Sequence, residues 1–239
     1  MIIYSAGEIN YNPKRIVSVV PSQTELLYDL GLGESVIGIT KFCIHPTGWT
    51  SEKVIVGGTK NLRMDVIHRL NPDLIIANKE ENVKEQIEEL AKHFTVLVTN
   101  ISNFTDALQM MEQLGIVTGK KQQALKLVEQ IQTKFNRLKP DTTANGKLPI
   151  VSYLIWKDPY MTIGGDTFIH DMMKRIGLQN LFGNQKRYPA ITVEELEKAD
   201  LIFLSSEPYP FKQADIIDLQ TVYPDKKIML VNGEMFSWY

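Results

Sequence analysis

Short apolar runs rich in Val and Ile alternate along the chain with segments that read as helices. In the first half the runs fall at residues 16–20, 36–40, 74–77 and 96–98. Each is short, β-branched and nearly all apolar, as a strand buried on both faces should be. Between them, residues 25–30, 65–70 and 83–92 read as helices. Ser22 and Thr24 offer N-cap chemistry after Pro21, and Gly31 stops that helix. The second half repeats the alternation, with strands at 150–154, 201–204 and 228–231 and helices at 167–176, 193–198 and roughly 213–219. Alternation of this kind predicts an α/β fold with parallel sheets.

An internal echo joins the halves. MDVIHRLNPDLIIAN (64–78) and TVEELEKADLIFLSS (192–206) each place a carboxylate on a first helical turn, then a Leu, then Asp-Leu-Ile opening a strand. Between the halves, residues 105–114 form one expected helix, broken at Gly115 and Gly119 from a second. In that second helix Leu125, Val128, Ile131, Phe135 and Leu138 recur at helical spacing. It starts at Lys120 and runs for about 20 residues, some 30 Å. PDTTANGKLP (140–149) is a loop. The expected organisation is an N-terminal α/β lobe at 1–102, linking helices at 103–140 and a C-terminal α/β lobe at 141–239. A single linking helix resists bending, so only a small hinge motion is expected.

Composition narrows the function. Hydrophobic content of 44% and charged content of 23% are globular values. A net charge of −2 leaves no basic footprint for nucleic acid. The single Cys43 excludes a disulfide framework or a Cys-rich metal site. No run of apolar residues is long enough for a membrane span, and MIIYSAGEINYNPKR shows no signal peptide. A P-loop, a G-x-S-x-G elbow and an HExxH motif are all missing. The four His residues are scattered, and nothing local argues for a metal site.

Candidate chemistry gathers after the strands, where open α/β sheets bind ligands. Phe42, Cys43 and His45 lie in KFCIHP. That segment reads either as a ligand-contacting loop, with His45 toward a bound metal complex, or as a packed Cys beside a solvated His. Gly57-Gly58 before Thr59 permits close backbone approach or makes a plain turn. Trp156, Lys157, Asp158, Pro159 and Tyr160 follow a strand in the same sense. Tyr188 precedes the helix at 193–198, and Glu234, Phe236, Trp238 and Tyr239 follow the last strand. Aromatic residues in such loops suit a ligand platform, although scattered rings usually belong to the core. Asp65 and Glu194 either complement helix dipoles or dock a basic partner.

With these residues in view, the chain resembles the periplasmic cobalamin/iron-siderophore substrate-binding proteins of ABC importers, the helical-backbone type. RIVSVVPSQTELLYDLGLGESVIGIT, VGGTKNLRMDVIHRLNPDLII, MTIGGDTFIHDMMKRIGLQNLF and YPAITVEELEKADLIFLSS carry the likeness in the family's order. The nearest likeness is to the cobalamin-binding branch. The resemblance implies two Rossmann-like lobes joined by one long helix, with the ligand in the cleft and no catalysis. It implies Asp65 and Glu194 as the carboxylates that dock on a membrane permease. The cobalamin-binding branch uses glutamates there, so Asp65 is a conservative departure. Tyr188 and Thr59 fall where that branch has cleft tryptophans. Phe42, His45, Trp156 and residues 234–238 map onto its other cleft loops.

The implied ligand is cobalamin or a related corrinoid, bound without any cofactor, and the implied state is a monomer. A ferric siderophore or heme stays open, because Lys41, Lys60, Arg63, Lys157, Lys186 and Arg187 lie in candidate loops. The family is periplasmic or envelope-anchored and has a helix after the last strand, so both ends of this chain read as trimmed. A soluble enzyme using His45 or Cys43 with Asp158 or Glu234 is the alternative class, and a cytosolic corrinoid carrier or sensor is a third. No motif supplies the oriented nucleophile or base that the enzyme reading needs.

Overall fold

A computed structural model describes residues 1–138 and 146–238. The chain divides into two compact units. The first comprises Met1–Ile101 and Thr105–Gln132, the second Ser102–Phe104 and Thr133–Trp238. Most of the 140–149 loop and Tyr239 lie outside the described residues.

In the first unit the strands are β1 (Ile2–Ile3), β2 (Ile16–Ser18), β3 (Val36–Ile39), β4 (Val54–Ile55), β5 (Gly57–Gly58), β6 (Asn61–Leu62), β7 (Leu74–Asn78) and β8 (Val96–Thr99). In the second they are β9 (Ile150–Trp156), β10 (Met161–Thr162), β11 (Gln179–Asn180), β12 (Leu201–Ser205) and β13 (Lys227–Val231). The α-helices among the described residues are α1 (Pro21–Asp29), α2 (Trp49–Glu52), α3 (Met64–Leu70), α4 (Lys84–Ala91), α5 (Phe104–Val117), α6 (Lys121–Asn136), α7 (Phe168–Arg175), α8 (Gln213–Val222) and α9 (Glu234–Ser237).

The first sheet is wholly parallel, in the order β1-β8-β7-β2-β3-β4. Its middle strand β7, Leu-Ile-Ile-Ala-Asn, is buried along its length, which explains its continuous apolar run. Val17, Ile75, Ala77 and Val96 meet Ile67, Ile87 and Leu90 from the covering helices. The second sheet runs β10-β9-β12-β13, with β9, β12 and β13 parallel. Its alternation is legible on β9 and β12. Val151, Tyr153, Ile155 and Phe203 share one cluster with Met173 of α7, while Leu154, Ile202 and Leu204 share another with Leu219 of α8. Both faces are covered, as a period of two requires.

The α/β reading holds, and several local expectations are corrected. Helix α1 begins at Pro21, the favoured N1 residue, and Val20 is its N-cap. Ser22 and Thr24 therefore do not cap it. Thr24 Oγ1 instead lies 2.8 Å from Val20 O, inside the first turn. Its end is as expected. Gly31 takes φ +73°, and the N–H groups of Gly31 and Leu32 return to Tyr28 O and Leu27 O, which closes the last carbonyls.

Gly115 does not break a helix but sits inside α5, whereas Gly119, at φ +70°, does end it. A Cβ on Gly115 would collide with Ala124 Cβ on α6, so glycine sets the approach of the two helices. Helix α6 has 16 residues rather than about 20. The 193–198 helix is a 3-10 helix, Glu194–Lys198. The two echoing segments thus share a strand but not a helix type. The short elements β1, α2, the β5–β6 hairpin, β10, β11 and α9 carry too few residues to show a period.

Replacing Gly115 with Ala should lower stability by about 1–2 kcal/mol despite the better helix propensity of Ala. Urea unfolding checks this. In the double variant with Ala124→Gly the two losses should be clearly less than additive.

Candidate functional site

In the first unit, loops at the carboxyl ends of β2, β3, β4 and β7 are tied together by backbone groups. Asn82 is buried and acts as the knot. Its Nδ2 donates to Val19 O at 3.1 Å and to Thr59 O at 3.0 Å, and its Oδ1 accepts from the Asn78 N–H at 2.8 Å. Lys41 N donates to Gly57 O at 2.9 Å, joining the post-β3 loop to the hairpin. Gly57 holds φ +110°, a value only glycine takes readily, and a Cβ there would strike Asn61 O.

On this frame Phe42 is 51% exposed, with Lys41 Nζ 5.0 Å from its ring centroid. A Cβ on Gly58 would stand 3.1 Å from the Phe42 ring, so Phe42 and the hairpin carrying Thr59 are neighbours. Thr59 itself is buried, and His45 is half-buried after a turn that ends in a cis His45-Pro46 bond. Cys43 is fully buried, and its Sγ lies 3.2 Å from the hydroxyls of both Thr24 and Thr40. Burial pushes its thiol up, the opposite of what a thiolate nucleophile needs. That geometry removes the Cys43 version of the enzyme reading.

In the second unit, Trp156 ends β9 and is 41% exposed. Its ring meets Tyr209 edge-to-face at 5.6 Å, and Tyr209 meets Phe211 at 4.7 Å. The Tyr209 N–H donates to Ile155 O at 3.2 Å, which fixes the post-β12 loop beside β9. Tyr160 is half-buried, and its carbonyl accepts from the Ile191 N–H at 2.9 Å. Tyr188 is 37% exposed, with the Arg187 guanidinium 5.4 Å from its ring centroid.

Residues 234–238 form α9 and its cap rather than a loop. Phe236, partly buried, turns its ring to Tyr153 at 5.1 Å and to Phe203 and packs against a core cluster. Trp238 caps α9 through its N–H to Glu234 O. Phe236 is therefore not grouped with the exposed rings. Tyr209, Phe211 and Glu207 escaped the sequence reading. The signal was present in SSEPYPF, a Pro- and aromatic-containing segment directly after a strand.

Charges in these loops are largely committed. Lys157 Nζ donates to Asp215 at 2.7 Å and to Asp218 at 3.2 Å. The hydrogen bond to Asp215 outweighs desolvation and holds Lys157 above the ordinary lysine range. Burial alone would raise Asp215, but the Lys157 ammonium and the Lys212 N–H outweigh it and hold its carboxyl low. Asp65 stands exposed on the first turn of α3, and Arg69 at 2.9 Å overcomes slight desolvation to lower it. Glu194 is exposed on the 3-10 helix, lowered by its own backbone N–H and by Thr192. Among the described residues no three His, Cys, Asp or Glu gather as a metal would need. No helix of the described residues is long and apolar enough to cross a membrane.

The sequence profile of the "Periplasmic binding protein" family matches residues 16–221, most of the chain. The chain belongs to that family. Periplasmic binding proteins are carriers rather than enzymes. An ABC transporter substrate-binding lipoprotein of Bacillus subtilis is 29% identical over 199 residues, 80% of this chain and 62% of its own length. The chain thus spans less than two thirds of that relative. A vitamin B12-binding protein of Vibrio parahaemolyticus is 24% identical over 197 residues, 80% of this chain and 70% of its own. A periplasmic heme-binding protein of Vibrio cholerae shares the fold, with a TM-score of 0.78 and 21% identity over 93% of this chain and 91% of its own.

In this periplasmic binding protein the Lys157–Asp215 pair has a pH signature. The depressed Asp215 carboxyl contributes stability above the unfolded value of 3.8, lost as pH falls through the lower folded value. The raised Lys157 contributes stability that is fully present below 10.5 and is lost only as pH rises through its folded value. Asp215→Asn should therefore cost about 1–2 kcal/mol at pH 7, with the gap to the parent closing below about pH 4. Urea midpoints measured across that range check it.

Proposed function

We propose that this chain is the substrate-binding component of an ABC importer and that it carries cobalamin or a related corrinoid. One observation carries the reading. Each unit presents exposed aromatic rings at or beyond the carboxyl ends of its strands, Phe42 after β3 in the first and, in the second, Trp156 at the end of β9 and Tyr188 in the loop after β11. The broad flat ring system of a corrinoid stacks on such rings, while its amide rim is left for a few polar contacts. The relatives named for vitamin B12 support the ligand class. Phe42, His45, Thr59, Trp156, Tyr160, Tyr188, Glu234 and Trp238 form the proposed ligand-binding set, from which the inward turn of Phe236 removes that residue. An anionic iron chelate, siderophore or heme, is the second reading, because Arg187 stands against Tyr188. The proposed place of work is the outer side of the cytoplasmic membrane, as a monomer.

Titration with cyanocobalamin, a ferric siderophore and heme, followed by Trp fluorescence and calorimetry, tests this. Saturation by cobalamin is expected, and Trp156→Ala should weaken it about tenfold. Tight binding of an iron chelate with none of cobalamin would overturn the corrinoid assignment.

Asp65 and Glu194 are proposed to dock the permease, since both carboxylates are exposed on first helical turns of different units. The double variant Asp65→Ala, Glu194→Ala should bind ligand as the parent does but abolish uptake in a transport assay. Loss of ligand affinity instead would mean that the role is wrong.

A further inference from the structure

We propose that Glu207 is a specificity-determining residue that selects an uncharged, amide-bearing ligand over an anionic one. This rests on the ligand-platform reading of Trp156. Glu207 sits in the loop after β12, two residues before Tyr209, whose ring is 5.6 Å from Trp156. It is half-buried and held from two sides. Ser237 Oγ on α9 donates to Glu207 Oε1 at 2.7 Å. Gly233 lies against its stem, where an added Cβ would stand 2.5 Å from Glu207 Cγ and 2.6 Å from Ser205 Oγ. Any other residue at 233 would displace the carboxylate.

The surroundings of this side chain are shared by three strands. The Gly233 N–H donates to Ser206 Oγ at 2.9 Å, joining the ends of β12 and β13. Tyr153 on β9 shares a hydrogen bond with Ser205 Oγ at 3.1 Å. Burial pushes the Tyr153 phenol up to about 12, with Glu207 adding to the effect. The phenol is therefore a neutral neighbour and supplies no countercharge. Lys157, in the next loop, is already engaged by Asp215 and Asp218.

A carboxylate accepts hydrogen bonds and cannot donate them. Glu207 holds one oxygen on Ser237, and its remaining lone pairs suit ligand N–H groups. The amide side chains of a corrinoid offer such donors. A carboxylate or catecholate at the same place meets like charge in a partly desolvated setting, where repulsion is strong. This charge filter would be absent from a site built only of rings.

The test compares matched ligands on the parent and on Glu207→Gln, which keeps an acceptor for Ser237 but removes the charge. The corrinoid pair is cyanocobalamin and its monocarboxylate, in which one amide is hydrolysed. The iron pair is ferrichrome, a neutral hydroxamate, and an anionic ferric tricatecholate. The parent should prefer the neutral member by at least about tenfold, and Glu207→Gln should bring the ratio within about twofold. Thermal melting of the variant controls for folding, and Ser237→Ala, which releases the carboxylate, should give an intermediate ratio. If the parent ignores both corrinoids, the corrinoid assignment fails while the iron pair still reads the filter. Equal affinity within the pair that binds, a preference that survives Glu207→Gln, or silence toward all four ligands overturns the inference.

Discussion

Burial of both faces of the parallel strands at the centre of each sheet is the constraint on which the rest depends. A strand covered on each side can hold almost nothing but apolar residues along its length, as β7 does. Chemistry is thereby expelled to the strand ends. In this chain it collects in the loops after β3, β4 and β7 in one unit and after β9, β12 and β13 in the other. The separation of core residues from the candidate site residues is thus a consequence of the architecture. Trp156 marks the transition within one strand, because Val151 through Ile155 are buried and the next residue is exposed.

The same constraint governs what was legible in the sequence. The apolar runs that became β2, β3, β7, β8, β9 and β12 stood out because double burial writes an unbroken signal, while the half-exposed edge strand β13 was marked by its apolar residues alone. Helices of two turns or more were also plain, with errors at their ends. The cap of α1 was misplaced because Ser and Thr next to a Pro favour the cap on statistics, while Pro21 itself is already the first helical residue. Gly115 was misread because a glycine that lets two helices touch looks, in one dimension, like a glycine that breaks a helix. The contact with Ala124 exists only in three dimensions.

Site residues were legible in proportion to how far each depends on its own loop. Phe42, Trp156 and Tyr188 are exposed at or beyond strand ends, so position alone singled them out as candidates. Phe236 obeys the same positional rule yet turns into the core against Tyr153, because α9 folds its segment back over the sheet. Asn82 and Glu207 were invisible for the opposite reason. Asn82 acts by joining Val19, Thr59 and Asn78, and Glu207 by its contacts with Gly233 and Ser237. Long-range partnerships leave no periodic trace.

These partnerships suit the loops of a carrier. A carrier needs its contact surface held in one shape before the ligand arrives, since ordering loops on binding costs affinity. The Asn82 knot provides that order with an amide bonded to Val19, Thr59 and Asn78, and the Ser237–Glu207–Gly233 clamp provides it by fixing one carboxylate oxygen and the stem. Catalysis asks for a side chain whose proton affinity is poised near neutrality beside a reacting atom. The shifted groups here move the other way: Cys43 is pushed up by burial, Tyr153 to about 12, and Asp215 down by Lys157. Each is locked in a single protonation state at neutral pH. None of these three groups is poised to give or take a proton near neutrality.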